Sequence, residues 1–187
     1  GGGIMATARG SGEVQRRSYP QSMRQQGCAG WEFVENMDLA GNAERTATEA
    51  VALLSADQCP SGTTTLIVGA SQLGLQIHES CGHAIELDRV LGSEAAYAGT
   101  SFLTTEKLHN FQYGSEHVNI TADSIRLPGL GSYGWDDEGI PAQSTPVVER
   151  GRFVGYLMSR ETASGLDLPS NGSMRAASWN RIPLIRM

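Results

Sequence analysis

Apolar residues recur at helical spacing over 43–58, where Ala43, Ala47, Ala50, Val51 and Leu54 mark one stripe, Asn42 stands at the N-cap position, and Pro60 and Gly62 end the pattern. This predicts an amphipathic helix with its glutamates on a solvated face. Over 63–69 the apolar residues Leu66, Ile67 and Val68 run without interruption between turn formers, which predicts a buried strand. A second helix is predicted over about 72–89. Upstream, 11–37 is polar and Arg/Gln-rich, with Trp31, Phe33 and Val34 as its apolar points, and its weak alternation predicts short strands. From 93 onward the chain turns Gly-rich and strand-like. Val118, Ile120 and Ala122 alternate, and 146–148 and 153–158 form two strands joined through Glu149-Arg150-Gly151-Arg152. No internal repeat is present. Helix, strand and helix followed by several strands predict an α+β fold: helices on a mainly antiparallel sheet, the second helix following a buried strand.

The second helix carries chemistry. With Leu73 at zero on an ideal helix, Leu73, Ile77, Cys81, Ala84 and Ile85 fall within about 120°, a core stripe. His78, Glu79, Gly82, His83 and Glu86 take the opposite side. The segment His78-Glu79-Ser80-Cys81-Gly82-His83 has the form H-E-x-x-x-H. With only 4 histidines in 187 residues, a chance match is expected about 0.005 times. Histidines at i and i+4 share a helix face, whereas at i and i+5 they diverge by about 140°. A π-type turn, bonded i to i+5, brings them back together, so a π bulge or broken turn is expected between His78 and His83, with Gly82 easing the distortion.

Composition narrows the classes. A hydrophobic fraction of 40% in 187 residues supports a real core, and a net charge of −6 with interspersed signs counts against direct nucleic-acid binding. The three cysteines, Cys28, Cys59 and Cys81, form no C-x-x-C pair, which fits a reducing compartment. No run approaches the roughly 20 apolar residues of a membrane helix. The Gly-Gly-Gly-Ile-Met-Ala start lacks the pattern of a signal peptide. A cytoplasmic protein, begun mid-chain, is expected.

Neutral imidazoles suit Zn²⁺, which lowers the pKa of a bound water and polarises a carbonyl. His78 and His83 are the candidate ligands. Glu79 is the candidate general base, taking the proton of the attacking water and passing it to the leaving amine. Glu86, three residues past His83, is placed to orient an imidazole. Cys81 falls on the core stripe, leaving Cys28, Cys59, His109 and His117 as candidates for a third ligand. Asp136-Asp137-Glu138 is either a second cation site or a turn with solvated charges. Asn171-Gly172 is expected to be a turn. Arg175 is either a surface charge or a group that meets a peptide carboxylate.

The stretch Gly74-x-x-x-His78-Glu79-x-x-Gly82-His83-x-x-Glu86-x-Asp88 resembles the zinc motif of the TldD/PmbA family, the TldD-type metallopeptidases once called modulators of DNA gyrase. The helix at 43–58, Asp136-Asp137-Glu138-Gly139, the hairpin through Gly151 and Gly155, and Asn171-Gly172 agree with it. The resemblance implies a zinc-dependent peptidase of unfolded or modified peptides, including those matured into natural products. It makes His78 and His83 zinc ligands and Glu79 the catalytic carboxylate. It also implies a dimer, either with itself or with a PmbA/TldE-type subunit. Residues 1–60 then correspond to the end of the family's N-terminal or central region, and 61–187 to a partial C-terminal metallopeptidase domain. The family's third ligand is a cysteine near the C-terminus of the full protein, so it is expected beyond Met187. The fragment itself is then expected to hold zinc weakly and to be inactive. A non-catalytic assembly subunit with a structural or degenerate metal motif, or a gyrase-associated regulator, is the alternative.

Overall fold

The first element is a hairpin that begins earlier than the sequence pattern suggests. Strand β1 (Ile4–Gly10) pairs antiparallel with β2 (Glu13–Tyr19), in register from Ile4↔Tyr19 to Gly10↔Glu13. Its inward positions are Ile4, Ala6 and Ala8, mostly too small to mark a strand clearly, and only Ala8 is fully buried. The computed structural model describes residues 1–10 and 12–186. Ser11, at the start of the 11–37 region, and Met187 lie outside the described residues.

After a short helix α1 (Glu32–Glu35) comes α2 (Ala43–Ala52), prolonged by a 3-10 turn at Leu53–Ser55 and packed on both hairpin strands. Asn42 occupies the N-cap position but its side chain caps nothing; its amide donates to the Asp38 carbonyl. The buried face of α2 is Thr46 and Ala50, rather than the stripe through Ala43 and Ala47, both of which are exposed. Alanine is compatible with either face, and the closeness of the two strands selects the side on which Thr46 returns its hydroxyl to the Asn42 carbonyl.

The expected buried strand at 63–69 is not present. The segment is irregular, with Leu66 77% and Ile67 93% exposed. Composition makes a segment competent to be a strand, but a strand exists only where a neighbour accepts its ladder, and none of the described residues pairs with this one. The motif helix therefore follows an irregular segment.

The chain divides into two compact units, Gly1–Gly74 and Leu75–Met187. Helix α3 (Ala70–Ile77) spans the border and runs into a π-helical turn at His78–Gly82, then a 3-10 turn at His83–Ile85. Helices α4 (Leu87–Val90) and α5 (Ala95–Ala98) follow. Strands β3 (Ile120–Asp123), β4 (Ser144–Glu149) and β5 (Arg152–Phe153) form an antiparallel sheet in the order β3-β4-β5. The β4–β5 link is the expected tight hairpin: Glu149 pairs with Arg152 across Arg150 and Gly151, both at positive φ, as a two-residue primed turn requires. The long strand expected over 153–158 shortens to β5, followed by a single parallel bridge between Leu157 and Glu86. Helix α6 (Arg160–Ser164) begins at a Ser159–Thr162 capping box, and β6 (Met174–Arg175) pairs with β7 (Leu184–Ile185). The whole is α+β with antiparallel sheets. No helix among the described residues is long and apolar enough to cross a membrane.

The core of the second unit gathers Cys81, Ile85 and Leu87 from the motif segment with Leu103, Val147, Val148, Phe153, Tyr156, Leu157 and Ile185. The Phe153 and Tyr156 rings meet edge to face, 4.9 Å between centroids. The motif segment is thus held by its apolar side. Leu73, placed on the same stripe by ideal geometry, is instead 42% exposed, because the stripe engages the core only from Ile77 onward.

Candidate metal centre

The spacing of the two histidines is resolved by the backbone. Through the π turn, the His83 amide donates to the His78 carbonyl, an i+5 bond that joins the two residues directly. Their rings come to 4.4 Å between centroids, crossed at 69°. The turn inserts one residue on the outer side while the core contacts keep helical spacing: Ile77, Cys81 and Ile85 all belong to the core cluster. Gly82 is buried at φ −52° and ψ −55°, ordinary right-handed helix, so the glycine's freedom at positive φ is not what the bulge uses.

Metal-capable atoms of His78, Glu79 and His83 lie within 4.8 Å of one another. The two histidines are partly buried and Glu79 is exposed, its Oε1 4.0 Å from His78 Nε2. Two imidazoles and a carboxylate converging at a half-open surface are a donor set that fits zinc. Among the described residues no other group joins the cluster. Cys81 is fully buried; burial pushes its thiol up, and a hydrogen bond with Tyr113 only partly offsets this. A thiol raised in this way is held away from the thiolate form that binds metal. His109 and His117 are exposed and stand outside the cluster, and Cys28 and Cys59 belong to the first unit.

Behind the imidazoles lies a polar network that sequence reading caught only in part. Glu86 is fully buried and its Oε1 lies 3.0 Å from His83 Nδ1, the contact suggested by the i+3 spacing. Its Oε2 accepts from Arg89 Nε at 3.1 Å, Arg89 Nη2 at 2.9 Å and Arg186 Nη1 at 3.3 Å. Glu94, nearly as buried, accepts from Arg186 Nη2 at 2.7 Å. Asp88 accepts from the backbone amides of Arg89 at 2.8 Å and Ile185 at 3.1 Å, tying α4 to β7. Burial pushes the Asp88 carboxyl up, those two amides pull it back, and the charges of Glu94 and Glu86 add to the rise. Arg89 was identifiable in principle from its i+3 position; Arg186, far along the chain, was not.

The other singled-out groups have structural work. Asp136 Oδ1 accepts from the amides of Glu138 and Ile140, and its Oδ2 from Met174. Asp137 caps the Ala176 amide and Glu138 the Arg160 amide. Asp136 is buried, whereas Asp137 and Glu138 stand in a turn with Asp137 exposed, and none of the three joins a candidate cation cluster among the described residues. Asn171 is more than a turn residue: its buried amide donates to the Tyr156 carbonyl and accepts from the Met158 amide. Gly172 beside it sits at φ +72°, where a Cβ would meet the Pro141 carbonyl at 2.6 Å. Arg175 makes no side-chain hydrogen bond or ion pair among the described residues and is exposed.

The sequence model of the PmbA/TldA metallopeptidase C-terminal domain matches residues 61–187. A Methanothermobacter thermautotrophicus protein named metalloprotease is 37% identical over 161 residues, 86% of this chain and 33% of its own length. A zinc metalloprotease TldD homolog of Saccharolobus solfataricus is 27% identical over 128 residues, 68% of this chain and 27% of its own. The crystal structure of TldE from Thermococcus kodakarensis superposes with a TM-score of 0.60 at 16% identity, covering 96% of this chain and 37% of that one, a likeness of fold. The chain spans about a third of the length of the curated relatives it matches. With the family model covering more than half of the chain, the protein belongs to the TldD/PmbA metallopeptidase family.

Proposed function

We propose that the protein is a zinc-dependent peptidase in which His78 and His83 hold the metal and Glu79 is the general base. The observation that carries this reading is the π turn, which brings the two imidazoles to 4.4 Å with Glu79 beside them. The name of the Saccharolobus relative supports zinc over other metals for N/O ligand sets. When bound, zinc supplies a Lewis acid that polarises a peptide carbonyl and eases deprotonation of water. The two imidazoles stand on a turn whose inner side is locked into the core. Glu79, exposed at the mouth, accepts the proton of the attacking water and returns it to the departing amine. The half-open setting suits an extended peptide more than a folded chain, in keeping with unfolded or modified peptides as substrates. Zinc has room for a further protein ligand, and this chain alone should hold it weakly and turn over slowly. A cytoplasmic dimer, with a copy of itself or with a PmbA/TldE-type subunit, completes the proposal, which here rests on family membership.

Glu79→Gln in the assembled protein tests the mechanism. Cleavage of an unstructured peptide should fall roughly 10²–10⁴-fold while zinc content stays unchanged. Undiminished cleavage with zinc retained would remove Glu79 from the chemistry. No cleavage by either protein, with zinc bound to both, would favour a non-catalytic subunit.

A further inference from the structure

We infer that Glu86 is a positioning residue for the metal centre: its Oε1 accepts the Nδ1–H of His83 and so fixes the tautomer and ring rotation that present Nε2 outward. The inference rests on the metal-centre reading of His78 and His83. Three features of the structure carry it.

The backbone at Glu86 is immobilised from both sides. The residue is extended, φ −69° and ψ 108°, between the 3-10 turn and α4. The Leu157 amide bonds the Ile85 carbonyl at 2.9 Å and the Leu87 amide bonds the Leu157 carbonyl at 3.1 Å, a parallel bridge that brackets Glu86. Asn171 in turn holds the residues flanking Leu157, through the Tyr156 carbonyl at 2.7 Å and the Met158 amide at 2.9 Å.

The division of labour between the carboxylate oxygens is asymmetric. Arginine and carboxylate pair most strongly as a two-oxygen fork. Here Arg89 and Arg186 both crowd onto Oε2, and Oε1 is left to the imidazole. A carboxylate present only to neutralise the two arginines would gain by turning both oxygens to them. With Oε2 held by both guanidinium groups, Oε1 stays turned to His83, and the Nδ1 contact is the one that a metal-binding Nε2 requires on the other side of the ring.

Glu94 provides an internal control. It shares both arginines, with Arg186 at 2.7 Å and Arg89 at 3.3 Å, yet its hydrogen bonds do not reach His83. Loss of Glu94 disturbs the network's stability, and loss of Glu86 disturbs both stability and ring orientation.

The first measurement needs no variant. Ring-nitrogen NMR of the metal-free protein, at a pH where both imidazoles are neutral, should show His83 protonated on Nδ1 and bare on Nε2. Protonation on Nε2 overturns the inference. The second compares Glu86→Gln with Glu94→Gln by competition against a zinc chelator. Glu86→Gln should weaken zinc binding roughly 10–100-fold, while Glu94→Gln stays near wild type despite a comparable loss in unfolding free energy. Equal losses in the two variants, or full affinity in Glu86→Gln, overturn the positioning role. An Nδ1–H tautomer in an assembled protein that holds no zinc overturns the metal-centre reading instead, so the two failures are distinct.

Discussion

Arg186 braces two of the second unit's buried acids, Glu86 and Glu94, and replacing it with Met removes the charge while keeping most of the stem. Its guanidinium donates to Glu94 at 2.7 Å, to Glu86 at 3.3 Å and to the Ile185 carbonyl at 2.8 Å. The side chain is 26% exposed, against 0% for Glu86 and 7% for Glu94. Breaking a fully buried pair costs about 3–5 kcal/mol, and an exposed pair contributes about 0–1 kcal/mol. Arg186 lies between these limits, and both acids keep Arg89, so the expected loss is about 2 kcal/mol. Glu94→Gln alone should also destabilise, since it leaves Arg186 short of its nearest acid. The double variant should cost less than the sum, with a coupling energy of about 0.5–3 kcal/mol. Urea unfolding gives the free energies, and amide exchange at Ile185 and Arg186 localises the effect to β7, where the Arg186 amide bonds the Ser173 carbonyl. A single-variant cost below about 0.5 kcal/mol with no coupling would mean that the network behaves as a surface ion pair, and the reasoning from burial would fail.

Two further outcomes test the core and the thiols. Burial, with a smaller contribution from the Glu106 charge, pushes the Tyr156 phenol up to about 12 from 10.0, and the hydroxyl donates to the Leu103 and Thr104 carbonyls. A raised folded-state pKa stabilises fully below about 10 and loses that contribution as pH rises through about 12. Unfolding free energy should therefore decline over that window, and Tyr156→Phe, which lacks the ionising group, should flatten the slope; an unaltered slope would assign the alkaline loss elsewhere. Iodoacetamide should label the exposed Cys28 and Cys59 in the native protein and the fully buried Cys81 only on unfolding. Native labelling of Cys81 that zinc suppresses would instead make it a ligand.

What the sequence made legible follows from interactions close along the chain. The His78 to His83 spacing announced a π bulge or a broken turn because an i to i+5 bond brings residues five apart together, and the structure has the π turn. The Glu149 to Arg152 link announced a hairpin because two strand-like runs flank a short polar segment with Gly151, whereas the positive φ of Arg150 was not legible. Glu86 announced its contact with His83 because residues three apart meet on helical turns. The misses have equally local causes. The 63–69 segment has strand composition, but pairing belongs to a partner, and apolar content cannot supply one. Asp136 and Asn171 carry backbone amides and carbonyls from distant loops, which polarity alone does not reveal. Arg186 reaches Glu86 across 100 positions, a separation on which no periodicity bears.

The π turn reconciles two demands that an α-helix cannot meet together. The core requires Ile77, Cys81 and Ile85 on one side, at intervals of four. The surface requires two imidazoles on the other side, and the buried carboxylate that faces one of them requires His83 three residues before Glu86. With His83 fixed by Glu86 and the core by its stripe, His78 can join it only if the intervening turn widens by one residue. The widened turn has its own support: Ser80 Oγ returns to the Gln76 carbonyl at 2.6 Å and receives the Tyr113 hydroxyl at 3.2 Å. The H-E-x-x-x-H spacing is thus matched to a π turn that ends at His83, the residue that Glu86 holds. The π turn costs helical regularity, but it lets the two imidazoles face each other on a segment whose other face and whose second-histidine partner, Glu86, are both buried.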